Sequence, residues 1–383
     1  MTRAQHAPAT VTNAPARVLW LIKGLGAGGA ERLVVHSARR RDRNVVKPQV
    51  AYLLAHKRAL LGDLAETEVT ATCLGARASW DPRWIVGLRR LCRAEQFDVV
   101  HSHSPITTIG ARIALRSIPR RDRPRLVTTE HNVWDSHAPA TRRADAATAR
   151  GDEIHLAVSE AVRASMPARL RSTTRVIQYG VDVAAVRAVA PGREDARRSL
   201  GVASGEVLIG TVANLRATKG YPDLLAAAAK VLHRTAGVRF VALGQGPMQQ
   251  ALHEQAARLG LGERFRFLGY RSDAVDVMAA FDIFCLASLH EGLPVALMEA
   301  LVLGIPVVAT DVGGTGEIVT DGREAVLVPA GEPDRLAAAL IALVDDPARR
   351  RKMAAAAHAR GDALDVGRAI RDVEAVYREE LRP

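Results

Sequence analysis

Short apolar runs alternate with amphipathic helical segments along the chain, and this alternation limits the possible folds more than any other feature. In the N-terminal half, the apolar runs typical of buried strands cover residues 17–23, 49–54, 98–101, 126–129 and 154–158. Helical spacing of apolar residues lies between them, for example over residues 83–95, where arginines occupy the opposite side. Strands that alternate with helices predict an α/β fold with a parallel sheet and helical crossovers.

The same alternation starts again near Gly205. The predicted strands of this second unit cover residues 207–212, 239–243, 265–268, 283–286 and 306–309, and the helices cover 223–235, 249–259, 274–280 and 295–303. A chain of 383 residues is long enough for two such units. We predict a flexible tail over residues 1–16, one Rossmann-like domain over 17–190 and a second over 191–362. Ligands of doubly wound sheets bind beyond the carboxyl ends of the strands, so we expect the site in the cleft between the domains.

The net charge of +12 is concentrated in the N-terminal half, where residues 1–190 carry 30 basic and 16 acidic side chains, a net +14. An arginine-rich coding composition, an anionic membrane surface or acceptor, and nucleic acid are three explanations. Nucleic acid is the weakest, because only 4% of residues are aromatic and no known binding module is found. The basic runs at 39–43 and 120–125 suit a membrane, together with Trp80 and Trp84, although core packing is favoured for the tryptophans.

The sequence also indicates a cytoplasmic protein, with peripheral attachment to the inner face of the cell membrane as a further expectation. Its cysteines, Cys73, Cys92 and Cys285, fit no disulfide or zinc spacing, which suits a reducing compartment. No apolar run approaches the roughly 18 residues of a transmembrane helix. The start of the chain lacks the charged segment and apolar core of a signal peptide.

Residues 288–304 hold the most informative pattern, an almost wholly apolar helix that contains one carboxylate. Pro294 suits the first turn of this helix, and Gly304 suits its end. Glu299 lies inside the helix, where an unpaired carboxylate is strongly unfavourable. Glu299 therefore requires a partner, which is an arginine, a set of backbone donors or the hydroxyl groups of a ligand.

A second carboxylate, Glu291, lies just before the same helix. At 1.5 Å per helical residue, it is separated from Glu299 by about 10 Å. That span matches the distance from a sugar, across a diphosphate, to a ribose. The free N–H groups at the start of the helix favour an anion between the two carboxylates. A purely structural salt bridge of Glu299 is the alternative explanation.

This segment resembles the Glu-x7-Glu signature of retaining glycosyltransferases with the GT-B fold, and the whole chain resembles glycosyltransferase family 4. Further blocks that resemble the family lie at residues 24–32, 99–103, 129–132, 157–160, 179–182, 212–220, 244–247, 267–270 and 311–317. The resemblance implies two Rossmann-like domains around a central cleft and a C-terminal helix, within 363–383, that packs back on the N-terminal domain. Gln178 and Tyr179 depart from the Pro-Asn pair that the family often has before Gly-Val-Asp.

The resemblance also implies a retaining transfer of a sugar from a nucleotide-diphosphate sugar to a carbohydrate or lipid-linked acceptor, in cell-envelope, exopolysaccharide or glycolipid biosynthesis. Arg216 and Lys219 would bind the donor diphosphate and stabilise its charge as the glycosidic bond breaks. Glu299 would accept the ribose hydroxyls, and Glu291 would meet the transferred sugar. Further donor contacts would come from Gly28, Gly29, Asn214, Gly244, Gly246, Tyr270, Gly292 and Leu293.

In the N-terminal domain, the resemblance implies that His131 meets the sugar and orients donor and acceptor. His103 and Glu130 are expected on the acceptor side. No protein nucleophile is implied, and the leaving phosphate oxygen would take the acceptor proton. The sequence contains no Asp-x-Asp motif, so we expect catalysis without a metal ion and without a cofactor beyond the donor substrate.

Two alternatives remain open from the sequence. Gly24, Gly26 and Gly29 match the fingerprint of dinucleotide-binding enzymes. Residues 53–57 lack the acidic side chain that binds the ribose of NAD, which leaves an NADP-dependent oxidoreductase. A non-catalytic protein that binds a nucleotide sugar would have the same fold and donor site.

Overall fold

The computed structural model describes residues 14–26, 28–149 and 153–381, so most of the predicted tail lies outside the described residues. Within them, the chain forms two parallel β-sheets flanked by helices. The first sheet consists of β1 (Ala16–Ile22), β2 (Val46–Leu54), β3 (Ala71–Ala76), β4 (Val99–Ser102), β5 (Arg125–Glu130), β6 (Ile154–Ala157) and β7 (Arg175–Val176). The second consists of β8 (Val207–Val212), β9 (Val238–Leu243), β10 (Phe265–Gly269), β11 (Ile283–Leu286), β12 (Val307–Thr310) and β13 (Ala325–Val328).

Helices connect the strands in both halves of the chain. The first group is α1 (Gly29–Arg40), α2 (Leu61–Ala65), α3 (Arg83–Glu95), α4 (Pro105–Arg116), α5 (Pro139–Thr148), α6 (Glu160–Ser165), α7 (Ala168–Arg171), α8 (Val183–Ala188) and α9 (Arg193–Ser199). The second group is α10 (Tyr221–Arg234), α11 (Gln249–Arg258), α12 (Ala274–Met278), α13 (Val295–Val302), α14 (Thr315–Ile318), α15 (Pro333–Asp345), α16 (Pro347–Gly361) and α17 (Val366–Glu380).

Both sheets have a doubly wound strand order. The order is β3-β2-β1-β4-β5-β6-β7 in the first sheet and β10-β9-β8-β11-β12-β13 in the second, and the paired strands are parallel. The winding direction reverses between β1 and β4 and again between β8 and β11. Loops that leave the carboxyl ends of strands at such a switch point form a ligand-binding crevice. This arrangement confirms the predicted α/β architecture of two Rossmann-like sheets.

Burial on both faces explains why the central strands read as continuous apolar runs. Val18, Leu19 and Leu21 of β1 have no exposed surface.

The two tryptophans near α3 differ in their burial. Trp84 is buried, and its ring lies where a side chain at Gly110 would be, so that only glycine fits there. Trp84 is therefore core packing, as favoured, whereas Trp80 is 86% exposed.

The last helix, α17, leaves the second half and packs on the first. Its Tyr377 hydroxyl accepts a hydrogen bond from Trp20 Nε1 at 3.1 Å. The same hydroxyl lies 2.5 Å from Nδ1 of His101 at the end of β4. Glu374 accepts a hydrogen bond from the Asp42 backbone N–H at 2.9 Å. Helix α17 therefore completes the core of the first half.

None of the helices in the described residues is both long enough and apolar enough to span a membrane.

Candidate active site

Loops from the carboxyl ends of both sheets meet at the cleft. The N-terminal turn of α1 approaches the start of α13, since a Cβ atom built on Gly29 would lie 3.2 Å from Val295. Gly292 lies against the carbonyl oxygen of His131, and any side chain at Gly292 would overlap this oxygen. Ser159 Oγ donates a hydrogen bond of 3.0 Å to the Gly292 carbonyl. The cleft is therefore closed around the loop that precedes α13.

Glu299 is paired across this cleft. Its side chain is only 4% exposed, and its Oε1 lies 3.0 Å from Nη1 of Arg32 in α1. Burial raises the pKa of the Glu299 carboxyl group, and the Arg32 charge opposes that rise. The partner that Glu299 requires is thus Arg32, an arginine in the N-terminal half of the chain. A ribose that binds Glu299 has to share or replace this contact.

Glu291, the other carboxylate of the signature, is also buried and paired. Its Oε1 accepts hydrogen bonds from Lys219 Nζ at 2.7 Å and from Ser288 Oγ at 2.6 Å. Lys219 lies in the loop after β8, and this loop is tied to the one after β11 because Leu289 N–H donates to the Thr218 carbonyl at 2.9 Å. The structure therefore brings together Glu291 and Lys219, which the sequence placed at separate motifs.

Arg216 begins the short turn that holds Lys219, and its side chain is exposed. No ion pair between Arg216 and another described residue is found. Asn214 lies two residues earlier and is half-buried. Because Arg216 has no carboxylate partner in the described chain, its charge is available to a bound anion.

The predicted glycine contacts with the donor have a second, structural explanation. Gly244 has φ +145°, and a side chain there would overlap the Ala213 carbonyl. Gly246 packs in the same way against the Leu215 carbonyl. Both glycines therefore hold the loop after β9 against the loop after β8. Of the three remaining predicted donor contacts, Leu293 is buried, Tyr270 is 37% exposed and Gly28 is the N-cap of α1.

Three histidines lie at the ends of β4 and β5. Nδ1 of His103 is 3.1 Å from Nε2 of His131, and His101 Nε2 is 2.7 Å from Thr129 Oγ1. Burial lowers the pKa of His131 to about 4 and that of His101 to about 3. It also lowers the pKa of His103 well below its usual value. All three rings are neutral at pH 7, so His131 offers a hydrogen bond rather than a charge.

Glu130, at the end of β5, is buried and hydrogen-bonded by the loop that follows it. Its Oε1 accepts hydrogen bonds from the backbone N–H groups of His131 and Asn132, at 3.0 and 3.1 Å. It also lies 3.1 Å from Nε2 of His137. This buried carboxylate shapes the loop that carries His131, and a role of Glu130 on the acceptor side stays a prediction.

Glu317 is a contact residue that sequence reasoning did not assign. Its carboxylate accepts hydrogen bonds from the backbone N–H groups of Glu160 and Ala161, at 2.9 and 2.8 Å, and from Gln178 Nε2 at 2.7 Å. A residue of the second half thereby caps a helix of the first half. The signal was the position of Glu317 at the end of a block that resembles the family.

Within residues 14–26, 28–149 and 153–381, no three His, Cys, Asp or Glu side chains converge to hold a metal ion.

Two family models match nearly the whole chain in succession. The model described as Glycosyltransferase Family 4 matches residues 27–185, and the model described as Glycosyl transferases group 1 matches residues 192–360. The chain is 30% identical over 314 residues to the D-inositol 3-phosphate glycosyltransferase of Corynebacterium diphtheriae, covering 75% of this chain and 71% of that protein. It is 37% identical to the 2-deoxystreptamine N-acetyl-D-glucosaminyltransferase of Streptomyces fradiae, over 45% of this chain and only 42% of that protein.

Among solved structures, HepE of Anabaena in complex with UDP and glucose has the same fold. The TM-score is 0.82 at 23% sequence identity, and the match covers 95% of this chain and 100% of HepE. Two parallel sheets that face a cleft, two family models in the same order and a relative of similar length all agree. The chain therefore belongs to the family 4 type of glycosyltransferases and has the GT-B fold.

Proposed function

We propose that this chain transfers a sugar from a nucleoside diphosphate sugar to a carbohydrate or lipid-linked acceptor, with retention of the anomeric configuration. The observation that carries the proposal is the placement of Glu291 and Glu299 on either side of the start of α13, with Lys219 bonded to Glu291 and Arg216 at the start of the turn that holds Lys219. A relative named as a lipopolysaccharide core biosynthesis glycosyltransferase, LpsE of Rhizobium meliloti, supports a role in cell-envelope biosynthesis.

The donor would lie along the start of α13. Its ribose hydroxyls would bind Glu299, its diphosphate would meet the free N–H groups of the helix and the Arg216 guanidinium, and its sugar would contact Glu291. In the structure, Arg32 and Lys219 hold these two carboxylates. Donor binding would replace two protein ion pairs by contacts with the ligand. HepE has been crystallised with UDP-glucose, which makes uridine the first base to test.

In the transfer step, the bond between the anomeric carbon and the phosphate oxygen breaks, and the acceptor oxygen bonds to the same face of that carbon. The acceptor proton passes to the leaving phosphate oxygen, so no protein nucleophile is needed. Arg216 and Lys219 stabilise the negative charge that grows on the diphosphate. Neutral His131 orients the sugar by hydrogen bonding. We propose that Arg216 and Lys219 stabilise the charge on the diphosphate without a metal ion.

We also propose peripheral attachment to the inner face of the cell membrane. An open depression at the amino end of β5 is lined by Arg116, Arg120, Arg121, Arg123 and Arg125, and at its base by the buried Arg112, which is paired with Asp145 and Glu153. Anionic lipids attract such a basic surface. Trp80 follows the edge strand β3 and does not line this depression. Vesicles with and without anionic lipid, floated at low salt, test the attachment, and equal recovery with both would contradict it.

A thermal-shift screen tests the donor site directly. UDP, GDP, ADP and their sugar conjugates are compared on wild type and Glu299→Ala, because a ligand of the native state raises the melting temperature. We expect one nucleotide to stabilise wild type and to lose this effect in the variant. Stabilisation by NADP alone would instead favour an oxidoreductase. Proton NMR of the product of transfer then reports whether the anomeric configuration is retained.

A further inference from the structure

Four buried side chains of the first half form a chain of hydrogen bonds. Trp20 Nε1 donates to the Tyr377 hydroxyl at 3.1 Å, and this hydroxyl lies 2.5 Å from Nδ1 of His101. On the other side of the imidazole ring, Nε2 lies 2.7 Å from Thr129 Oγ1. Tyr377 belongs to the C-terminal helix α17, whereas the other three residues lie on β1, β4 and β5. The hydrogen bonds therefore run from α17 across three neighbouring strands.

The donors and acceptors give this chain of bonds a direction. An indole N–H can only donate, so the Tyr377 oxygen accepts the bond from Trp20. Among the described residues, His101 Nδ1 is the acceptor within reach of the Tyr377 hydroxyl proton. A neutral imidazole carries a single proton, so the proton of His101 lies on Nε2 and is donated to Thr129 Oγ1. Tyr377 therefore selects one of the two tautomers of His101.

The ring of His101 supports the pair of histidines at the cleft. Its centroid lies 4.2 Å from the ring centroid of His103, and the angle between the two planes is 31°. Nδ1 of His103 lies 3.1 Å from Nε2 of His131, whereas Nε2 of His103 is buried without a hydrogen-bond partner among the described residues. Its contact with His101 and its bond to His131 therefore orient the His103 ring.

Tyr179 connects the same hydrogen bonds to His131 by a second route. Its buried ring lies beside His131, with 6.2 Å between the ring centroids. Burial raises the pKa of the Tyr179 hydroxyl group, and a hydrogen bond with Thr129 opposes that rise. The bonds that begin at Trp20 thus end at a ring next to His131. Tyr179 is one of the two residues that depart from the family pattern before Gly-Val-Asp.

We propose that Tyr377 is a positioning residue for the transfer reaction, because it fixes His101 and thereby the orientation of His131. This proposal rests on the proposed function, in which His131 meets the donor sugar. Tyr377 is 1% exposed, so it acts through the histidines that lie between it and the cleft. The C-terminal helix then contributes to catalysis as well as to the core of the first half.

Tyr377→Phe tests the proposal, since it removes one hydroxyl group and keeps the aromatic ring. We expect kcat for sugar transfer to fall about tenfold or more, because a small displacement of an orienting group is costly. KM for the donor should stay the same, since its carboxylate contacts lie in the second half. Tyr52→Phe, at another buried tyrosine of the first half, is the matched control and should leave both constants unchanged. A kcat of Tyr377→Phe equal to that of wild type would overturn the proposal.

Nitrogen-15 NMR of the histidine side chains gives a readout that does not depend on activity. It reports which ring nitrogen carries the proton, and comparison with His101→Gln assigns the His101 signals. In wild type we expect the proton on Nε2. In Tyr377→Phe we expect a mixture of both tautomers and shifted signals of His131, whereas Tyr52→Phe should give the wild-type spectrum. Unchanged signals of both histidines in Tyr377→Phe would contradict the proposed route.

A second pair of variants keeps the test decisive if Tyr377→Phe does not fold. Thr129→Val removes the hydroxyl that accepts from His101 and keeps a branched side chain on β5, whereas Thr129→Ser keeps the hydroxyl. We expect Thr129→Val to lower kcat about tenfold and Thr129→Ser to retain most of the wild-type rate. Equal rates of the two variants would show that the hydrogen bonds do not position His131.

Nucleotide binding separates this role from the proposed function. In the thermal-shift screen, we expect the same nucleotide to stabilise wild type and Tyr377→Phe equally. Equal stabilisation together with an unchanged kcat overturns the positioning role alone. If no nucleotide stabilises wild type and no donor is turned over, the proposed function is wrong, and the role of Tyr377 in transfer is wrong with it.

Discussion

Arg32 Nη1 lies 3.0 Å from Glu299 Oε1, and this ion pair joins the first helix of the N-terminal half to the buried helix of the acidic signature. The two partners are not equally buried, since the Glu299 side chain is 4% exposed and that of Arg32 is 21% exposed. Loss of Arg32 leaves a carboxylate without compensation, whereas loss of the Glu299 charge leaves a guanidinium that water can reach.

Arg32→Ala should therefore lower the free energy of unfolding by about 3 kcal/mol, the usual effect of leaving one buried charge unpaired. Glu299→Gln in the Arg32→Ala background should restore most of that loss, because no carboxylate then remains to be solvated. Urea denaturation measures the free energy of unfolding of the single and the double variant. Arg17→Ala is the matched control, since Arg17 and Glu95 form an exposed pair worth about 0.5 kcal/mol. Equal effects of Arg32→Ala and Arg17→Ala would contradict the asymmetry.

Lys219→Ala should lower kcat for sugar transfer by about 10²-fold or more, because in the proposed mechanism this lysine stabilises the leaving diphosphate. It also releases Glu291 from its 2.7 Å contact. Steady-state rates with the identified donor measure the effect. Lys230→Ala, which removes an exposed lysine paired with Asp334, serves as the control and should be unaffected. An unchanged kcat for Lys219→Ala would remove this lysine from the mechanism.

Gly292→Ala should keep the fold of each sheet but prevent full closure, since a methyl group at that position would overlap the His131 carbonyl oxygen. We expect kcat to fall by about tenfold or more, because closure brings the catalytic groups together. Gly237→Ala is the control, as a Cβ atom there meets nothing within 4 Å. Transfer rates and small-angle X-ray scattering are the two measurements. A compact Gly292→Ala protein with normal kcat would contradict the expectation.

The buried His101 should make stability depend on pH. Its pKa in the folded protein is about 3, against 6.5 in a model peptide. As the pH falls below 6.5, the unfolded chain takes up a proton that the folded one does not, so this histidine lowers stability under acidic conditions. At pH of about 5 the loss is about 2 kcal/mol relative to neutral pH.

His101→Gln isolates this effect from the other titrating groups, because those groups are shared by both proteins. The difference in unfolding free energy between wild type and His101→Gln should shrink by about 2 kcal/mol from pH about 7.5 to about 5. Denaturant titrations at several pH values give this difference. A constant difference over that range would show that His101 does not titrate as its burial indicates.

Removal of divalent metals should leave transfer intact, because in the proposed mechanism Arg216 and Lys219 supply the positive charge at the diphosphate. The assay compares protein dialysed against a chelator with the same protein after addition of magnesium or manganese. Activity that disappears with the chelator and returns with either ion would refute metal-independent catalysis.

Much of the fold could be predicted because parallel strands that are buried on both faces appear in the sequence as continuous apolar runs. The bounds of β8 and α3 were predicted as observed. β3 was missed, because this edge strand is mostly exposed and has the composition Ala-Thr-Cys-Leu-Gly-Ala. α4 was missed as well, since its Pro, Thr and Gly residues obscure the helical period, and burial of Gly110 under Trp84 depends on packing.

Only those residues of the site that belong to local sequence motifs could be predicted. Glu291, Glu299 and Lys219 were selected from their motifs, but the sequence gives no indication that Lys219 bonds Glu291 or that Arg32 bonds Glu299. Those partners come from separate loops, or from separate halves, and only the closed cleft brings them together. The hydrogen bonds of Glu130 to the loop after β5 could not be predicted either, because they follow from a turn that sequence spacing does not specify.

The return of α17 to the first half matters for anyone who builds hybrid enzymes from this chain. Tyr377 is hydrogen-bonded to Trp20 and to His101, so the N-terminal half of the protein is assembled from two distant stretches of the sequence. A graft that carries a new donor specificity should therefore exchange residues 191–362 and leave 363–383 with the recipient. A simple exchange of everything after residue 190 would mismatch Tyr377 with a foreign partner and damage the half that was meant to stay intact.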